Sequence, residues 1–573
     1  MRILKALAAT AVALSLVPAI PAASGAERSS ARSSRRALPA LTSVPADALT
    51  RALDGGELTD AEYALERAKS LFRLPSVRSQ FGEVARPHGR DATLILRDLA
   101  VRATELTGDE RTAAEAILAR PDDSRGEPFG QPYKDGATVE VICANGGVKL
   151  CVHYVPTGGN DNFNRADPAF ATSALAEMTY VWDEEITEMG FRAPRSDGSS
   201  NNDGGDNRTD IYLANIGSAG VYGYCSTDDP ELYDPDGRYD LSAYCVLDND
   251  YAEDVFDNLT PLENMQVTAA HEFFHAIQFA YDYFEDAGFM EGTAAWVEDE
   301  VYDEVNDNYQ YLAQSPMTRP GTPLDRTNLT NLFMNRYGAW IFWRYLSESF
   351  SDAPQTTDPD VIKDIWELAD AAPGAPNNYS LLAVTGFVSE QGMTFREVMG
   401  GFATSVFAPE TFFEEGAGYL EWLVMNDRNV GRGGRPPLSL NKTISTSKPS
   451  GRKSKELDHL SSAYYAFTPG GSVSDSSMLK LKVNGPPRSR GTTATALIHG
   501  TDDVIIEHAV FSLNSDGDGT LVVPFGPSAV KRVIVVASNA STKYINCGFR
   551  PYLSCGGTPK FDDQKFVVKG KLQ

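Results

Sequence analysis

The chain has 573 residues, too many for one hydrophobic core, so two or three domains are expected. Its 42% hydrophobic and 23% charged residues fit ordinary globular protein. A formal net charge of -27 and a pI near 4.7 argue against nucleic acid or anionic membrane as partners and favour solubility and cation binding.

Met1 to Lys5 supplies two positive charges, Ala6 to Ile20 is apolar, and Pro21 to Ala26 is built mostly of small residues. This is the pattern of a secretory signal over residues 1–26, so a secreted, extracellular product is expected. No later stretch is long and apolar enough to span a bilayer. The cysteines suit an oxidising compartment. They fall as near neighbours, Cys143 with Cys151, Cys225 with Cys245 and Cys547 with Cys555, and closing these short loops is the simplest pairing, although sequence leaves the connectivity open. None has the C-x-x-C spacing of a thiolate zinc site.

Residues 27–125 begin with the polar, basic run ERSSARSSRR and then turn helical. A helix is expected from Leu58-Thr59-Asp60 with apolar Tyr63, Leu65, Ala68 and Leu71, a second over Asp91–Leu106 and a third over Asp109–Leu118. Pro121 and the polar run to Gly126 end the pattern. A helical block after a leader reads either as a removable propeptide or as a permanent subdomain.

The next domain is expected over residues 126–430. Val139 to Val155 carries β-type residues across a Gly-Gly turn, with His153 as a structural residue. Ala166 to Gly190 reads as one long amphipathic helix through Met178, Val181, Trp182 and Ile186. Asp197, Asp203, Asp206 and Asp210 then punctuate a Gly/Asn-rich loop whose oxygens suit a Ca²⁺ ion, although the EF-hand register is missing and a solvated acidic loop is the plainer reading. Asp210 to Gly217 reads as a strand.

Thr260-Pro261-Leu262-Glu263 is a capping box with proline at the first helical position. The helix it opens carries His271-Glu272-x-x-His275. Histidines four apart share one helical face and can reach one metal ion, and Glu272 beside them can take a proton from a bound water. The competing reading is a pair of buried core histidines, but the chain holds only seven, which makes this spacing informative. Catalytic zinc needs a third protein ligand and an open position. A ligand set continuing H-x-x-G-x-x-H fails, because the chain has Gln278 and Tyr281 where glycine and histidine are required. The alternative is a glutamate from a second helix, and Phe289 to Glu298 offers Glu291 and Glu298.

The E-G-x-x-x-aromatic-x-E pattern of Glu291 to Glu298 resembles the segment that supplies the glutamate ligand in gluzincin metallopeptidases, such as the aminopeptidase N and bacterial collagenase groups. The order and composition of roughly residues 55–425 also resemble a group of secreted bacterial metalloproteases known mainly from genomes. The resemblance implies an α+β, zincin-like metallopeptidase domain with a helical lower half. It implies Zn²⁺ held by His271, His275 and Glu291, with Glu298 orienting a zinc-bound histidine; a solvated acidic face over Glu298, Asp299 and Glu300 is the alternative. In gluzincins an edge strand above the zinc helix pairs with extended substrate, and Asp210–Gly217 is the candidate here, with an ordinary interior strand as the alternative. Tyr337-Gly338-Ala339 is similar to the Tyr-x-Lys-Gly-Ala segment of aminopeptidase N relatives, whose tyrosine hydroxyl stabilises the oxyanion, but the intervening pair is missing and a packing role competes. The Gly-x-Met-Glu-Asn segment that grips a free amine does not appear, which favours endopeptidase action. The implied function is hydrolysis of protein or peptide substrates by metal-activated water. The alternative is a secreted adhesion or binding protein on a catalytically silent scaffold, against which stands Glu272, since a structural zinc site does not need it.

Asn331 to Leu346 reads as an aromatic helix, and further helices are expected over Asp358–Ala371, Tyr379–Gln391 and Phe395–Val406. Residues 431–455 shift to Gly, Pro, Ser, Arg and Lys and read as a linker. Residues 456–573 alternate short β-type runs with turns, which predicts a β-sandwich. His459, His499 and His508 lie there without ligand spacing.

Overall fold

The computed structural model describes residues 47–123, 133, 138–156, 163–200, 202–233, 239–256, 259–326, 335–427, 430–545 and 557–573. The expected leader, the basic run after it and the Cys547/Cys555 pair lie outside them. The described chain is mixed α+β, with a helical N-terminal region and strands at its C-terminal end.

The N-terminal region holds α1 (Ala48–Asp54), α2 (Asp60–Phe72), α3 (Leu74–Phe81), α4 (Ala92–Arg102) and α5 (Gly108–Ile117). Thr59 and Glu62 cap α2 reciprocally, as a Thr-x-x-Glu start dictates. A six-stranded sheet follows, built from β1 (Glu140–Cys143), β2 (Leu150–Pro156), β3 (Arg165–Ala166), β4 (Thr209–Ala214), β5 (Gly223–Ser226) and β6 (Tyr244–Asp248). Its order is β1-β2-β4-β6-β5, with β3 beside β2. Strands β2, β4 and β6 run parallel, whereas β1 and β5 pair antiparallel at the two ends. Cys143–Cys151 and Cys225–Cys245 are disulfides between directly opposed residues.

The central strands are buried on both faces, so they read as continuous apolar runs rather than alternating ones. Ile211, Leu213, Cys245 and Leu247 face a core shared with α6 (Pro168–Trp182) and α7 (Pro261–Asp282). Tyr212, Ala214, Tyr244 and Val246 face the opposite way, into a core shared with the N-terminal helices. The sheet is thus a middle layer. One expectation is corrected: Asp210–Gly217 does not supply an edge, because β4 lies between β2 and β6, and the edge above α7 belongs to β5. Fully buried strands carry no periodicity that ranks them across a sheet. The expected long helix over Ala166–Gly190 also changes character, since α6 gives way at Asp183–Glu188 to a π-helical turn.

After α7 come α8 (Ala287–Val301), α9 (Asn335–Gly338), α10 (Trp340–Phe350), α11 (Pro359–Ala369), α12 (Leu381–Glu390), α13 (Phe395–Phe407), α14 (Pro409–Phe412) and α15 (Gly416–Asn426). The C-terminal strands are β7 (Leu438–Ile444), β8 (Ser450–Leu457), β9 (Ser461–Pro469), β10 (Met478–Asn484), β11 (Thr492–Gly500), β12 (Ile505–Val510), β13 (Asp518–Pro524), β14 (Val530–Asn539), β15 (Tyr544–Ile545), β16 (Thr558–Pro559) and β17 (Gln564–Leu572). A four-stranded sheet (β13-β10-β17-β8) and a five-stranded sheet (β12-β11-β14-β9-β7) share one apolar core, including Leu479, Leu481, Ala496, Val533 and Val535. The stretch 431–455, expected as a linker, largely folds as β7 and most of β8. Both are outermost strands, and Arg452, Lys453 and Lys455 on β8 are the charges that keep a sheet edge from pairing further. No described helix is long and apolar enough to cross a membrane.

Candidate metal centre

Helix α7 starts where its sequence dictates: Thr260 Oγ1 accepts from the Glu263 N–H at 3.2 Å, and Glu263 Oε2 accepts from the Thr260 N–H at 2.8 Å. Helix α8 starts at Asp286, whose carboxylate accepts from the N–H groups of Gly288 and Phe289. These starts set His271 and His275 on one face of α7 and bring Glu291 of α8 against them.

The geometry converges on a point. His271 Nε2 lies 3.1 Å from His275 Nε2 and 3.2 Å from Glu291 Oε2, and His275 Nε2 lies 3.7 Å from the same oxygen. A tetrahedral zinc with bonds of about 2.0–2.1 Å has ligand–ligand edges of about 3.3–3.4 Å, so this triangle has the right size. The outer ring nitrogens are tied down. His271 Nδ1 is 2.6 Å from Glu298 Oε1, and His275 Nδ1 is 2.7 Å from Gln278 Oε1. The Gln278 amide donates to the Met290 carbonyl and to Thr293 Oγ1, which fixes its oxygen toward the histidine. Each Nδ1 therefore keeps a proton for its acceptor, which leaves each Nε2 as the nitrogen that turns a lone pair inward when the ring is neutral. Two lone pairs and a carboxylate facing one another, with Glu291 buried and its oxygens without a hydrogen-bond donor, fit a cation. Burial alone would lower the His271 pKa, but Glu291 and Glu298 outweigh it and hold it at about 10, which expresses the same excess of negative charge.

Glu272 is buried, and burial raises its carboxyl above the ordinary range despite the neighbouring histidines. Its Oε2 accepts from the Thr93 hydroxyl at 2.7 Å. The Tyr337 ring stacks against His271 with centroids 6.1 Å apart, and its hydroxyl donates to Asp91 Oδ1 at 2.9 Å. Asp91 also pairs with Arg336 at 2.7 Å, and Arg90 lies 3.7 Å from Glu298. All six residues singled out in the sequence, His271, Glu272, His275, Glu291, Glu298 and Tyr337, thus meet in one buried cluster.

Gln278, Thr93, Asp91 and Arg336 were not foreseen. Gln278 sits three residues from His275 on the same helix, a spacing that makes side chains neighbours and could have been read. Thr93 and Asp91 lie about 180 residues upstream of the motif, with no local signal.

The acidic loop behaves differently. Asp197 and Asp210 are held by the buried Arg120 guanidinium at 2.9 and 2.5 Å, together with Asp228 at 3.0 Å. Asp206 pairs with Arg208, and Asp203 accepts from the Gly205 N–H. The expected Ca²⁺ ligands therefore point to guanidinium partners and a turn rather than to one shared position. Asp299, Asp303 and Glu415 also converge, around Arg344, which pairs with Asp299 and Glu415 as their own cation.

No family model matches the chain, and no curated protein matches it.

Proposed function

We propose that the protein is a secreted zinc-dependent peptidase of gluzincin type on a zincin-like fold, acting on protein or peptide substrates as an endopeptidase. The observation that carries this is the inward convergence of His271 Nε2, His275 Nε2 and Glu291 Oε2 with Glu272 adjacent on the same helix. These three groups would hold the zinc, which when bound polarises a scissile carbonyl and acidifies a water. Glu272 accepts the water's proton and delivers it to the leaving amine. Burial, by raising the Glu272 carboxyl, moves it toward the range where it can do both. Glu298 and Gln278 hold the two imidazoles in the tautomer that leaves Nε2 free. Tyr337, once its hydroxyl leaves Asp91, is positioned beside His271 to donate to the developing oxyanion.

Metal stoichiometry is the direct test. Purified wild type is expected to carry about one zinc per chain, as this site class does. Glu272→Gln should keep the zinc and lower casein hydrolysis at least about a hundredfold. Folded wild-type protein without stoichiometric metal would overturn the reading.

A further inference from the structure

The candidate centre is closed. His271, Glu272, His275, Glu291, Glu298 and Tyr337 are each 0–2% exposed, so no peptide reaches them in this state. What closes the site comes from the N-terminal region. Cys225 on β5 stands opposite Cys245 with Cα atoms 4.0 Å apart, the close spacing of a non-hydrogen-bonded antiparallel pair. Its N–H therefore points away from β6, toward the open edge of the sheet. There it donates to Thr93 Oγ1 at 2.8 Å, and the same hydroxyl donates to Glu272 Oε2 at 2.7 Å. One side chain thus engages both the backbone donor that an added strand would use and the carboxylate that would serve as base. Asp91, two residues earlier, engages the Tyr337 hydroxyl and Arg336. Gly89 presses on the connection between β4 and β5 so closely that a Cβ there would lie 1.8 Å from the Gly220 carbonyl oxygen.

We propose that Gly89–Thr93 is an inhibitory plug, lying where an extended peptide would add to β5, so that the chain is made latent and gains activity when this segment is displaced. The proposal rests on the peptidase reading above. Displacement frees the Cys225 N–H, Glu272 and the Tyr337 hydroxyl together, whereas a permanent partner of the working site would be needed during turnover.

Two variants of the chain test it. Thr93→Ala deletes both bonds of the latch, and Gly89→Val drives a side chain into the Gly220 carbonyl and pushes the segment out. Each should raise peptide hydrolysis over wild type by about tenfold or more. An accessibility measurement runs beside it: diethyl pyrocarbonate labelling of His275 in metal-free protein, read by mass spectrometry, should be slow in wild type and about tenfold faster in both variants. Wild-type labelling as fast as that of the variants overturns the plug. So does faster labelling with turnover lost, which would make Thr93 part of the working site. Failure of the peptidase reading shows separately, as absence of zinc from wild type and variants alike, while the labelling arm still decides whether the segment shields the cluster.

Discussion

At the scale of single residues, the candidate centre depends on groups outside the His271, His275 and Glu291 triangle. On the proposed reading, Glu291→Ala removes one of the three converging groups that would hold zinc and should abolish its binding, whereas Glu298→Ala and Gln278→Leu each free one imidazole to rotate and should weaken binding by about 10- to 100-fold in a chelator competition. Zinc that survives Glu291→Ala but is lost with Glu298→Ala would exchange their roles. Glu185, in the π-helical turn, is buried with neither oxygen hydrogen-bonded, and burial raises its pKa well above the ordinary value even though His271 pulls the other way. A carboxyl raised in this way costs stability as pH climbs from its free value near 4.5 toward its folded one. Glu185→Gln removes that cost, so its melting-temperature gain over wild type should be larger at about pH 8 than at about pH 5; equal gains would show that the carboxyl is neutral in neither condition. That His271 and His275 share one face was legible because helical spacing is local, whereas Glu291 entered through the resemblance of its segment. Thr93, Asp91 and Arg336 were not legible, because their positions depend on how distant elements stack.

At the scale of elements, β5 packs directly against α7. An added Cβ at Gly223 would lie 2.7 Å from Thr268 Cγ2 and 2.8 Å from Glu272 Cγ, so strand and helix meet at Glu272 itself. Gly223→Val should push Glu272 out of place and lower turnover of an opened form about a hundredfold while zinc stays bound; loss of metal instead would mean that α7 as a whole had shifted. The same region shows where sequence reading stops. Helix α7 and its cap are written in Thr260 to Glu263, but nothing in Thr209–Ala214 marks it as an interior rather than an outer strand. Order across a sheet is decided by connections such as the one that brings Tyr244–Asp248 between β4 and β5. The basic run at 450–457 misled for the opposite reason, since an edge strand and a linker share a polar composition.

At the scale of the whole molecule, the C-terminal strands are fastened to the helical part rather than tethered beside it. The outer face of their five-stranded sheet packs Tyr464, Ala466, Leu497, Ile534 and Val536 on Ala403 and Phe407 of α13. At the junction, the His459 ring reaches Asp325 at 2.9 Å and Asp562 at 2.6 Å. Burial would lower the His459 pKa, but the two carboxylates raise it to about 9. Its contribution is therefore complete below the free value near 6.5 and is lost as pH rises through about 9. The melting-temperature gap between wild type and His459→Gln should narrow from about pH 6 to about pH 10; a constant gap would mean that packing, not charge, fastens the junction. The middle-layer position of the sheet carries a different consequence, for solubility. Val155, Tyr212, Tyr224, Tyr244 and Val246 have the N-terminal helices as their cover, and Arg120 is the counter-charge of three carboxylates beside them. Shedding that cover would bare an aromatic patch to water and strand buried acids, a surface prone to self-association. A chain nicked between α5 and β1 should accordingly migrate as one two-piece particle under native conditions, its fragments parting only in denaturant.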